Sequence, residues 1–267
     1  MTGSATAVVT VVHGRHEHLA RQRASLAAST TTAYEHVVVA VDDPSVSGSS
    51  VSVPAHPLGL TIAAARNRGA DHALSLGATT LVFLDVDCLA GPGLLAAYAD
   101  VVAEEPTTIW SGPVTYLDPP PPEGYDLSSL GALDAPHPAR PDLAPGERAA
   151  GADPDLFWSL SFACSAEAWV TTGGFCEDYV GYGGEDTDFA RVALRAGVEL
   201  GWVGAARAYH QWHPVSRPPV EHVVDIVRNA EIYRQRWGVV PMRGWLESFA
   251  ERGLVRRDDD GRWLLTA

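Results

Sequence analysis

Short apolar runs that alternate with helix-type segments constrain the fold of this chain more than any other feature. Three such runs, TAVVTVV at 6–12, HVVVAVDD at 36–43 and TTLVFLDVD at 79–87, are short and lack the apolar–polar alternation of a half-exposed strand. An alanine-rich segment at 58–77, closed by Gly77, has helix-type sequence and separates the second run from the third. This alternation predicts an α/β fold with a parallel or mostly parallel sheet flanked by helices.

The later part of the chain continues the pattern after one long interruption. Residues 118–154 include four consecutive prolines, show no apolar periodicity and are predicted to form a flexible, proline-rich loop or lid. We predict a single domain over 1–237 and a C-terminal extension over 238–267, because 267 residues suffice for one large α/β domain. Further helices are predicted at 15–29, 92–106, 184–196 and 220–237, and further strands at 107–117 and 198–203.

Charge and residue usage exclude several classes of function. The formal net charge is −14, which is a poor match for nucleic-acid binding. All nineteen basic residues are arginine, so mechanisms that need a Schiff-base or P-loop lysine are excluded. Three cysteines without C-x-x-C spacing, and a start without a signal-peptide pattern, predict a cytoplasmic location. No apolar run approaches the ~18 residues of a membrane span, and peripheral attachment to a membrane stays open.

Polar residues follow three of the predicted strands. The first strand ends at His13-Gly14-Arg15, the second at Asp42-Asp43 and the third at Asp85-Val86-Asp87. Ligands of open α/β sheets bind at the carboxyl ends of the strands, so these residues are predicted to share one rim. Taken singly they are ambiguous, since Asp43 before a proline is typical of a turn and His13 of a helix start. Asp85 and Asp87 fit a phosphatase nucleophile with its proton donor, a metal clamp or a helix cap.

Two further clusters occur in the second half of the chain. Glu185, Asp186 and Asp188 follow Gly183-Gly184 at a predicted helix start, where acids can simply complement the helix dipole. In the alternative interpretation, the glycines allow a substrate close to the backbone and one acid is a catalytic base. The segment AYHQWHP at 208–214 contains two histidines three residues apart, which fit either a structural role or a pair of metal ligands.

Some of these acids and histidines could together bind a divalent cation. Carboxylate oxygens suit hard divalent cations, and an added imidazole shifts the preference from Mg²⁺ toward Mn²⁺. Asp85, Asp87 and His210 would form such a site and leave positions for phosphate oxygens.

Taken together, LVFLDVD, GGFCEDYVGYGGEDTDFARVALRAG and YHQWH resemble GT-A fold glycosyltransferases of family 2. YGGEDTD is similar to the GGED motif of β-1,4-galactosyltransferase-type enzymes, and AAARNRGADHA at 63–73 resembles the Arg-Asn-x-Gly helix start of family 2. The resemblance covers about 6–237. It implies a GT-A fold and the transfer of a sugar from a nucleotide sugar, with a UDP-sugar as the expected donor.

The resemblance also implies roles for individual residues. Asp186 would be the general base and Glu185 would bind acceptor or sugar hydroxyls, while Trp158 and Gly173-Gly174 would shape the pocket. Asp87 would be the principal metal ligand, with Asp85 on the ribose or the metal, His210 completing the Mn²⁺ or Mg²⁺ site and His213 as a weaker candidate. Donor-binding residues would be His13, Arg15, Asp42 (on the base), Arg66 (near ribose or diphosphate), Asp85, Gly183 and Gly184.

The implied reaction is an inverting transfer to a hydroxyl of a carbohydrate or small-molecule acceptor. The metal and an arginine would stabilise the departing diphosphate while the base takes the hydroxyl proton. The chain departs from the family at HGR, which replaces a Tyr-Asn or Asn-Arg pair, and at VDDP, which replaces Asp-Asp-Gly-Ser. Both departures concern the nucleotide base, and retention of configuration also stays open.

Three rival interpretations are weaker. In a haloacid-dehalogenase-type phosphatase the FLDVD strand would come first, Gly-Thr would follow and a later lysine would be required, whereas here the strand is third and CL follows. A sugar-phosphate nucleotidyltransferase would have a glycine-rich, basic N-terminal loop, which VVHGRHEH does not match. A nucleotide-sugar-binding protein without transferase activity would not need Asp87, Asp186 and His210 together.

Overall fold

In the computed structural model, which describes residues 6–31 and 34–266, an eight-stranded sheet runs through the molecule. Two of its strands, β8 and β9, run antiparallel to their neighbours, and the other six are mutually parallel, so the predicted mostly parallel α/β fold is confirmed. In spatial order the strands are β3 (Val51–Val53), β2 (Glu35–Val41), β1 (Thr6–Val12), β4 (Thr80–Leu84), β9 (Ser161–Ser165), β6 (Thr108–Ser111), β10 (Glu199–Val203) and β8 (Arg148–Ala150).

Two smaller sheets complete the β structure. In the first, β11 (Ala208–His210) lies between β5 (Cys88–Ala90) and β7 (Val114–Tyr116), antiparallel to β5 and parallel to β7. The second is a two-stranded ribbon of β12 (Val255–Arg257) and β13 (Trp263–Leu265). The first of these sheets matters for the site, because it follows the carboxyl end of β4.

Helices cover both faces of the central sheet. Along β4, Phe83 packs into one apolar core with α2, α4 and α5, whereas Val82 and Leu84 pack into the opposite core with α3. This alternation follows from the period of two in a strand that is buried on both faces. The helices are α1 (His16–Ala27), α2 (Ile62–Ser75), α3 (Leu94–Glu104), α4 (Ala166–Thr172), α5 (Glu185–Arg195), α6 (Val223–Trp237) and α7 (Arg243–Glu251), with 3₁₀ turns at Leu130–Leu133, Pro154–Leu156 and Val220–His222.

Two predicted strands are shorter than expected. The strand predicted at 79–87 ends at Leu84, and Asp85 to Asp87 form a turn before β5. The strand predicted at 107–117 is divided into β6 and β7, because Gly112 lies so close to the Ala206 carbonyl that a Cβ there would overlap it. A local turn ends the first of these strands, and a close backbone contact lies at the break in the second.

The proline-rich segment 118–154 is largely irregular but is attached to the main body. Its last part contributes β8, in which Ala149 pairs with Trp202 at the edge of the central sheet. Leu130 and Arg140 are buried. A three-residue strand carries no detectable periodicity, which is why the sequence did not predict it. The predicted flexibility of this segment is not tested by these contacts.

The C-terminal residues pack against α6. Ile226 and Ala230 of α6 form a separate apolar cluster with Phe249 of α7 and with Val255 and Trp263 of the ribbon. The division into a 1–237 domain and a 238–267 extension stays a prediction. Within the described residues, no helix has the length and apolar character needed to cross a membrane.

Candidate active site

A tight turn after β4 places two carboxylates at the carboxyl end of the sheet. The Cys88 N–H donates to the Asp85 carbonyl oxygen over 2.8 Å and closes the turn. The buried amide of Gln22, on α1, donates to the same oxygen over 2.7 Å and to the Cys88 carbonyl over 3.0 Å. From this turn the side chains of Asp85 and Asp87 reach different neighbours.

Asp85 belongs to a group of three carboxylates that share Arg66. One guanidinium nitrogen of Arg66 is 2.9 Å from Asp85 Oδ1, and another is 3.3 Å from Asp186 Oδ1 and 3.6 Å from Glu185 Oε1. Arg66 is 5% exposed and comes from α2, whereas Glu185 and Asp186 form the first turn of α5. The planar guanidinium suits such a shared position, because its several N–H groups point in different directions. We call these four residues the Arg66 cluster.

Burial and neighbouring charges shift the pKa values in the Arg66 cluster. Burial lowers the pKa of Arg66, but Asp85, Asp186 and Glu185 together raise it above its ordinary value. Burial raises the pKa of Asp85, and Arg66 opposes that change. Burial and then Asp186 raise the pKa of Glu185 to about 8, against the attraction of Arg66. Glu185 is therefore largely protonated at pH 7, and its Oε2 atom is buried without a hydrogen-bond partner.

Asp186 is the member of the cluster with an available oxygen. Its Oδ1 accepts hydrogen bonds from the Ser159 hydroxyl over 2.8 Å and from Arg66 over 3.3 Å. Among the described residues, none donates to Oδ2, and the side chain is 27% exposed. These contacts orient the carboxylate and leave one oxygen free to accept a proton from a bound group.

Asp87 belongs to a second group, with His210 and His213. The potential ligand atoms of these three residues all lie within 4.8 Å of one another, and His213 Nε2 is 3.6 Å from Asp87 Oδ2. The small sheet aligns them, because His210 pairs with Cys88 in register and the Gln211 N–H donates to the Asp87 carbonyl over 2.6 Å. We call this group the Asp87 cluster. Asp85, predicted as a further metal ligand, lies outside it because its Oδ1 is paired with Arg66.

Burial favours the neutral form of two imidazoles beside Asp87. Burial lowers the pKa of His210 to about 4, and Asp87 only partly opposes that change. Burial likewise lowers the pKa of His18, a further histidine next to Asp87. The His210 ring stacks on Tyr116 with centroids 4.7 Å apart, which holds its orientation. A carboxylate with neutral imidazoles is a donor set that suits Mn²⁺ and related divalent cations.

Arg15 lies on the solvent side of the Asp87 cluster. Its NH1 atom is 3.2 Å from Asp87 Oδ1, and its side chain is 35% exposed. The cation beside the Asp87 cluster is therefore a partly exposed arginine, in contrast to the buried Arg66. The predicted role of Arg15 in donor binding stays a prediction.

The ends of β1 and β2 form the outer part of the rim. His13 Nδ1 lies 2.8 Å from the Val41 carbonyl oxygen, and the Gly14 N–H donates to Asp43 Oδ2 over 2.9 Å. Hydrogen bonds from Ser45 and Gly14 lower the pKa of Asp43 to about 2. Asp42, the predicted base contact, is exposed at the end of β2 with a left-handed backbone (φ 46°). Asp43 therefore joins the two strand ends, while the Asp42 side chain faces solvent.

The glycine loop before α5 is packed against other parts of the chain. A Cβ on Gly183 would lie 2.7 Å from Met242 Sδ, and one on Gly184 would lie 3.1 Å from a ring carbon of Tyr179. Both glycines have a positive φ, and Asn229 of α6 donates to the Gly183 carbonyl over 2.9 Å. Protein packing thus accounts for these glycines, and close approach of a donor to them stays a prediction.

The residues predicted to shape the pocket differ in their surroundings. Trp158 lies between the Arg140 guanidinium, 4.5 Å from its ring, and His137, whose ring centroid is 5.0 Å away. It directly precedes Ser159, the hydrogen-bond donor to Asp186. Gly174 packs against Asn67, whose side-chain oxygen would lie 2.8 Å from a Cβ there. Trp158 is thus adjacent to the Arg66 cluster, whereas the Gly173-Gly174 turn abuts α2.

Sequence reasoning missed several residues of the site. Ser159 and Gln22 have no motif around them, so only tertiary contacts reveal their roles. Arg140 lies in the proline-rich segment, where no periodicity indicated burial. His18 had a detectable signal, since two histidines in HGRHEHLA flank a glutamate at the start of a helix.

Part of the chain matches a known protein family. A family model described as the N-terminal domain of galactosyltransferase matches residues 155–223, less than half of the chain. This range contains the GGED segment and both histidines of the Asp87 cluster. No curated protein matches the chain.

Two solved structures are similar to it in fold. A crystal structure of GalNAc-T7 with UDP, GalNAc and Mn²⁺ has a TM-score of 0.56 and 15% identity, over 92% of this chain and 56% of that one. The crystal structure of S. aureus TarS 1–349 has a TM-score of 0.56 and 12% identity, over 90% of this chain and 74% of that one. The chain therefore spans little more than half of the GalNAc-T7 structure, and it has the GT-A type of α/β fold.

Proposed function

We propose that the protein is a metal-dependent glycosyltransferase that moves a sugar from a nucleoside-diphosphate sugar to an acceptor hydroxyl. The observation that carries this proposal is the position of the Asp87 cluster and of Asp186 at the same carboxyl edge of the sheet. The galactosyltransferase-type match over 155–223 and the GT-A fold support it. A UDP-sugar is the proposed donor, in line with the UDP and Mn²⁺ of the GalNAc-T7 structure. Membership of family 2 stays a prediction.

The Asp87 cluster would hold the metal. Its donor set fits a divalent cation, because one carboxylate and two imidazoles converge within 4.8 Å and burial keeps His210 neutral. When bound, the metal neutralises negative charge on the donor diphosphate. Arg15 would contact the same diphosphate, since it lies beside Asp87 and is partly exposed to solvent. Asp42 and His13, farther along the rim, would contact the nucleoside.

Asp186 would act as the base. Ser159 and Arg66 fix its Oδ1, so that Oδ2 can accept the proton of the acceptor hydroxyl as that oxygen attacks the anomeric carbon. Attack from the face opposite the leaving diphosphate gives inversion. Glu185, largely protonated and with an unpaired Oε2, would donate a hydrogen bond to a sugar or acceptor hydroxyl.

A panel of nucleotide sugars tests the proposal. The purified chain is incubated with UDP-, GDP- and other nucleotide sugars, with Mn²⁺ or with a chelator, and both the melting temperature and the release of nucleoside diphosphate are measured. We expect one donor to raise the melting temperature and to be turned over only with metal. Asp71→Asn changes an exposed residue on α2, and as the control variant it should respond to donor and metal as the wild type does. The proposal fails if no nucleotide or nucleotide sugar shifts the melting temperature with metal present. If a nucleotide sugar binds but no nucleoside diphosphate is released, either from the donor alone or with a broad mixture of acceptors, the result would instead support a nucleotide-sugar-binding protein.

A further inference from the structure

A mostly apolar cleft lies beside the Asp87 cluster, between β7 and the proline-rich segment. Its volume is about 280 Å³, just below the range of clefts that take drug-sized ligands, and it therefore suits a single ring-sized group. Its walls are mainly aromatic, proline and leucine side chains, which include Tyr116, Leu117, Pro119, Pro121, Tyr125 and Leu133. No lining residue belongs to the Asp87 cluster or the Arg66 cluster. The cleft is thus a feature separate from both.

Large apolar side chains are exposed at this cleft. Tyr116 is 43% exposed and Leu133 is 49% exposed. Trp212, which is also 43% exposed, is joined to the cleft because its N–H donates to the Tyr125 hydroxyl over 3.0 Å. Single exposed apolar residues are ordinary on a protein surface, but a group of them around a concavity is typical of a binding site.

Hydrogen bonds hold the walls of the cleft together. The Tyr125 hydroxyl donates to the Asp118 carbonyl oxygen over 2.8 Å and accepts from the Trp212 N–H. Thr115 Oγ1, on β7, accepts from the Ala135 N–H over 3.1 Å. These bonds attach the proline-rich segment both to β7 and to the segment that follows β11. The folded chain itself therefore forms the cleft.

A line of ring contacts connects the cleft with both clusters of the candidate active site. The Tyr116 ring, which lines the cleft, stacks on the His210 ring with centroids 4.7 Å apart. The His137 ring lies edge to face with two others, 5.9 Å from Tyr116 and 5.0 Å from Trp158. Trp158 directly precedes the serine that donates to Asp186. A group bound in the cleft would therefore lie beside the Asp87 cluster, at one end of a row of rings that continues toward Asp186.

The polar groups at the cleft restrict what it can bind. None of the described residues that line it is basic, and Asp118 is among them, so an anionic group is disfavoured. A sugar ring would bury several hydroxyls, each of which needs a hydrogen-bond partner. The side-chain oxygens of Thr115 and Tyr125 already have partners within the protein. An apolar ring gains from contact with aromatic and proline surfaces and needs no such partners.

We infer that the cleft binds an aromatic, apolar group of the acceptor, attached to the part that bears the reacting hydroxyl. This inference rests on the proposed function, because it names the chemical class of acceptor for the same site. The aromatic group packs against Tyr116, Tyr125 and Leu133. Since the proline-rich segment supplies Tyr125 and Leu133, this segment selects the acceptor.

Binding of paired acceptor analogues to the full chain tests the inference. Phenyl and methyl glycosides of the same sugars (glucose, galactose, mannose and N-acetylglucosamine, in both anomers) are titrated by ligand-observed NMR. Each titration is done with the free chain and with the chain plus UDP and Mn²⁺, and no sugar donor is present. We expect at least one phenyl glycoside to bind about tenfold or more tightly than its methyl partner, because the phenyl group buries more apolar area.

Leu133→Ser removes apolar surface from the cleft at an exposed position. The preference for the phenyl glycoside should fall by at least about threefold, whereas binding of the methyl glycoside should not change. Leu76→Ser is the matched control, because Leu76 is 56% exposed at the end of α2 and does not line the cleft. With a donor that is turned over, Leu133→Ser should raise the KM for the phenyl acceptor and leave kcat within about twofold of the wild type.

Four results would decide against the inference or against the proposed function. The inference is overturned if no phenyl glycoside binds more tightly than its methyl partner in either condition, or if Leu133→Ser and Leu76→Ser change the preference equally. It is also overturned if a disaccharide gains more than the phenyl glycoside does and loses that gain in Leu133→Ser, since the cleft then binds a sugar ring. If the phenyl preference depends on Leu133 but no nucleotide sugar binds, the proposed function fails and the cleft stands as a site for aromatic groups. If sugar transfer occurs without any phenyl preference, the inference alone fails.

Discussion

Asp85 and Asp87 are separated by a single residue, yet they belong to regions with different charge balance. In the Arg66 cluster, three carboxylates share a guanidinium that is 5% exposed. In the Asp87 cluster, one carboxylate faces imidazoles and an arginine that is 35% exposed. The cation of the first region is buried, whereas the arginine that the structure describes beside Asp87 is only partly buried.

This difference separates a contribution to folding from a contribution to binding. Removing the cation from a buried ion cluster leaves uncompensated charge, which destabilises the folded state. Removing a metal ligand changes the stability of the metal-free protein little, because the ligand–metal interaction is absent from the metal-free folded state. Variants of the two clusters should therefore differ in which quantity they change.

The largest expected effect is on folding, in Arg66→Ala. Loss of the guanidinium leaves Asp85, Glu185 and Asp186 close together and partly buried, and we expect the free energy of unfolding to fall by about 3–5 kcal/mol. Urea denaturation measures it. Arg68→Ala, on the same helix but 60% exposed, is the control and should change stability little. A wild-type unfolding midpoint in Arg66→Ala would remove the distinction between the clusters.

Within the Arg66 cluster, Asp186→Asn should separate chemistry from donor binding. The amide keeps the shape of the side chain but cannot accept the acceptor proton, so kcat should fall by about 10²–10⁴-fold. Donor affinity, measured by calorimetry with the nucleotide sugar, should stay within about threefold of the wild type. Ser159→Ala, which removes one hydrogen bond to Asp186, should give a smaller loss. Normal transfer by Asp186→Asn would show that the base is elsewhere.

In the Asp87 cluster, Asp87→Asn should affect the metal and not the fold. We expect Mn²⁺ affinity to fall by at least about 100-fold, beyond the 10–100-fold typical of an outer-shell loss. The melting temperature without metal should be nearly unchanged. Asp85→Asn is the variant to compare with it. Because Asp85 is paired with Arg66, this substitution should leave the Mn²⁺ affinity intact. Equal losses in both variants would place Asp85 on the metal after all.

The smallest expected effect depends on pH and concerns Glu185→Gln. Folding raises the pKa of Glu185 from 4.5 to about 8, so protonation of this carboxyl favours the folded state. This contribution to the free energy of unfolding is fully present below pH 4.5 and is lost as the pH rises through 8. Glutamine removes the buried charge, so the variant should be more stable than the wild type by about 1–3 kcal/mol at pH 9 and should lose this advantage toward pH 4. Urea denaturation across this range measures it.

Glu167→Gln, at an exposed acid in the first turn of α4, is the control for that series and should show no such trend. A stability difference between Glu185→Gln and the wild type that does not change with pH would mean that folding does not raise the pKa of Glu185.

The sequence predicted the frame of the molecule and part of the site. β1 was predicted at its observed bounds, since a β-branched run buried on both faces is visible in the sequence itself. From the sequence, Asp85 and Asp87 were predicted to share one metal, because nothing local distinguishes two acids that are separated by a single residue. Their separation depends on Arg66, nineteen residues away, and on histidines more than a hundred residues later. Ser159 was missed for the same reason, since contacts between distant segments leave no periodicity.

The small sheet formed by β5, β11 and β7 has a consequence for how this site can change. Backbone hydrogen bonds, including the one from Gln211 to the Asp87 carbonyl, set the relative positions of residues 87 and 210 without using their side chains. Exchanging either side chain therefore leaves the positions of both backbones in place. Single substitutions at these two positions would therefore change the ligand set of the proposed metal site, while the backbone that presents the ligands stays the same.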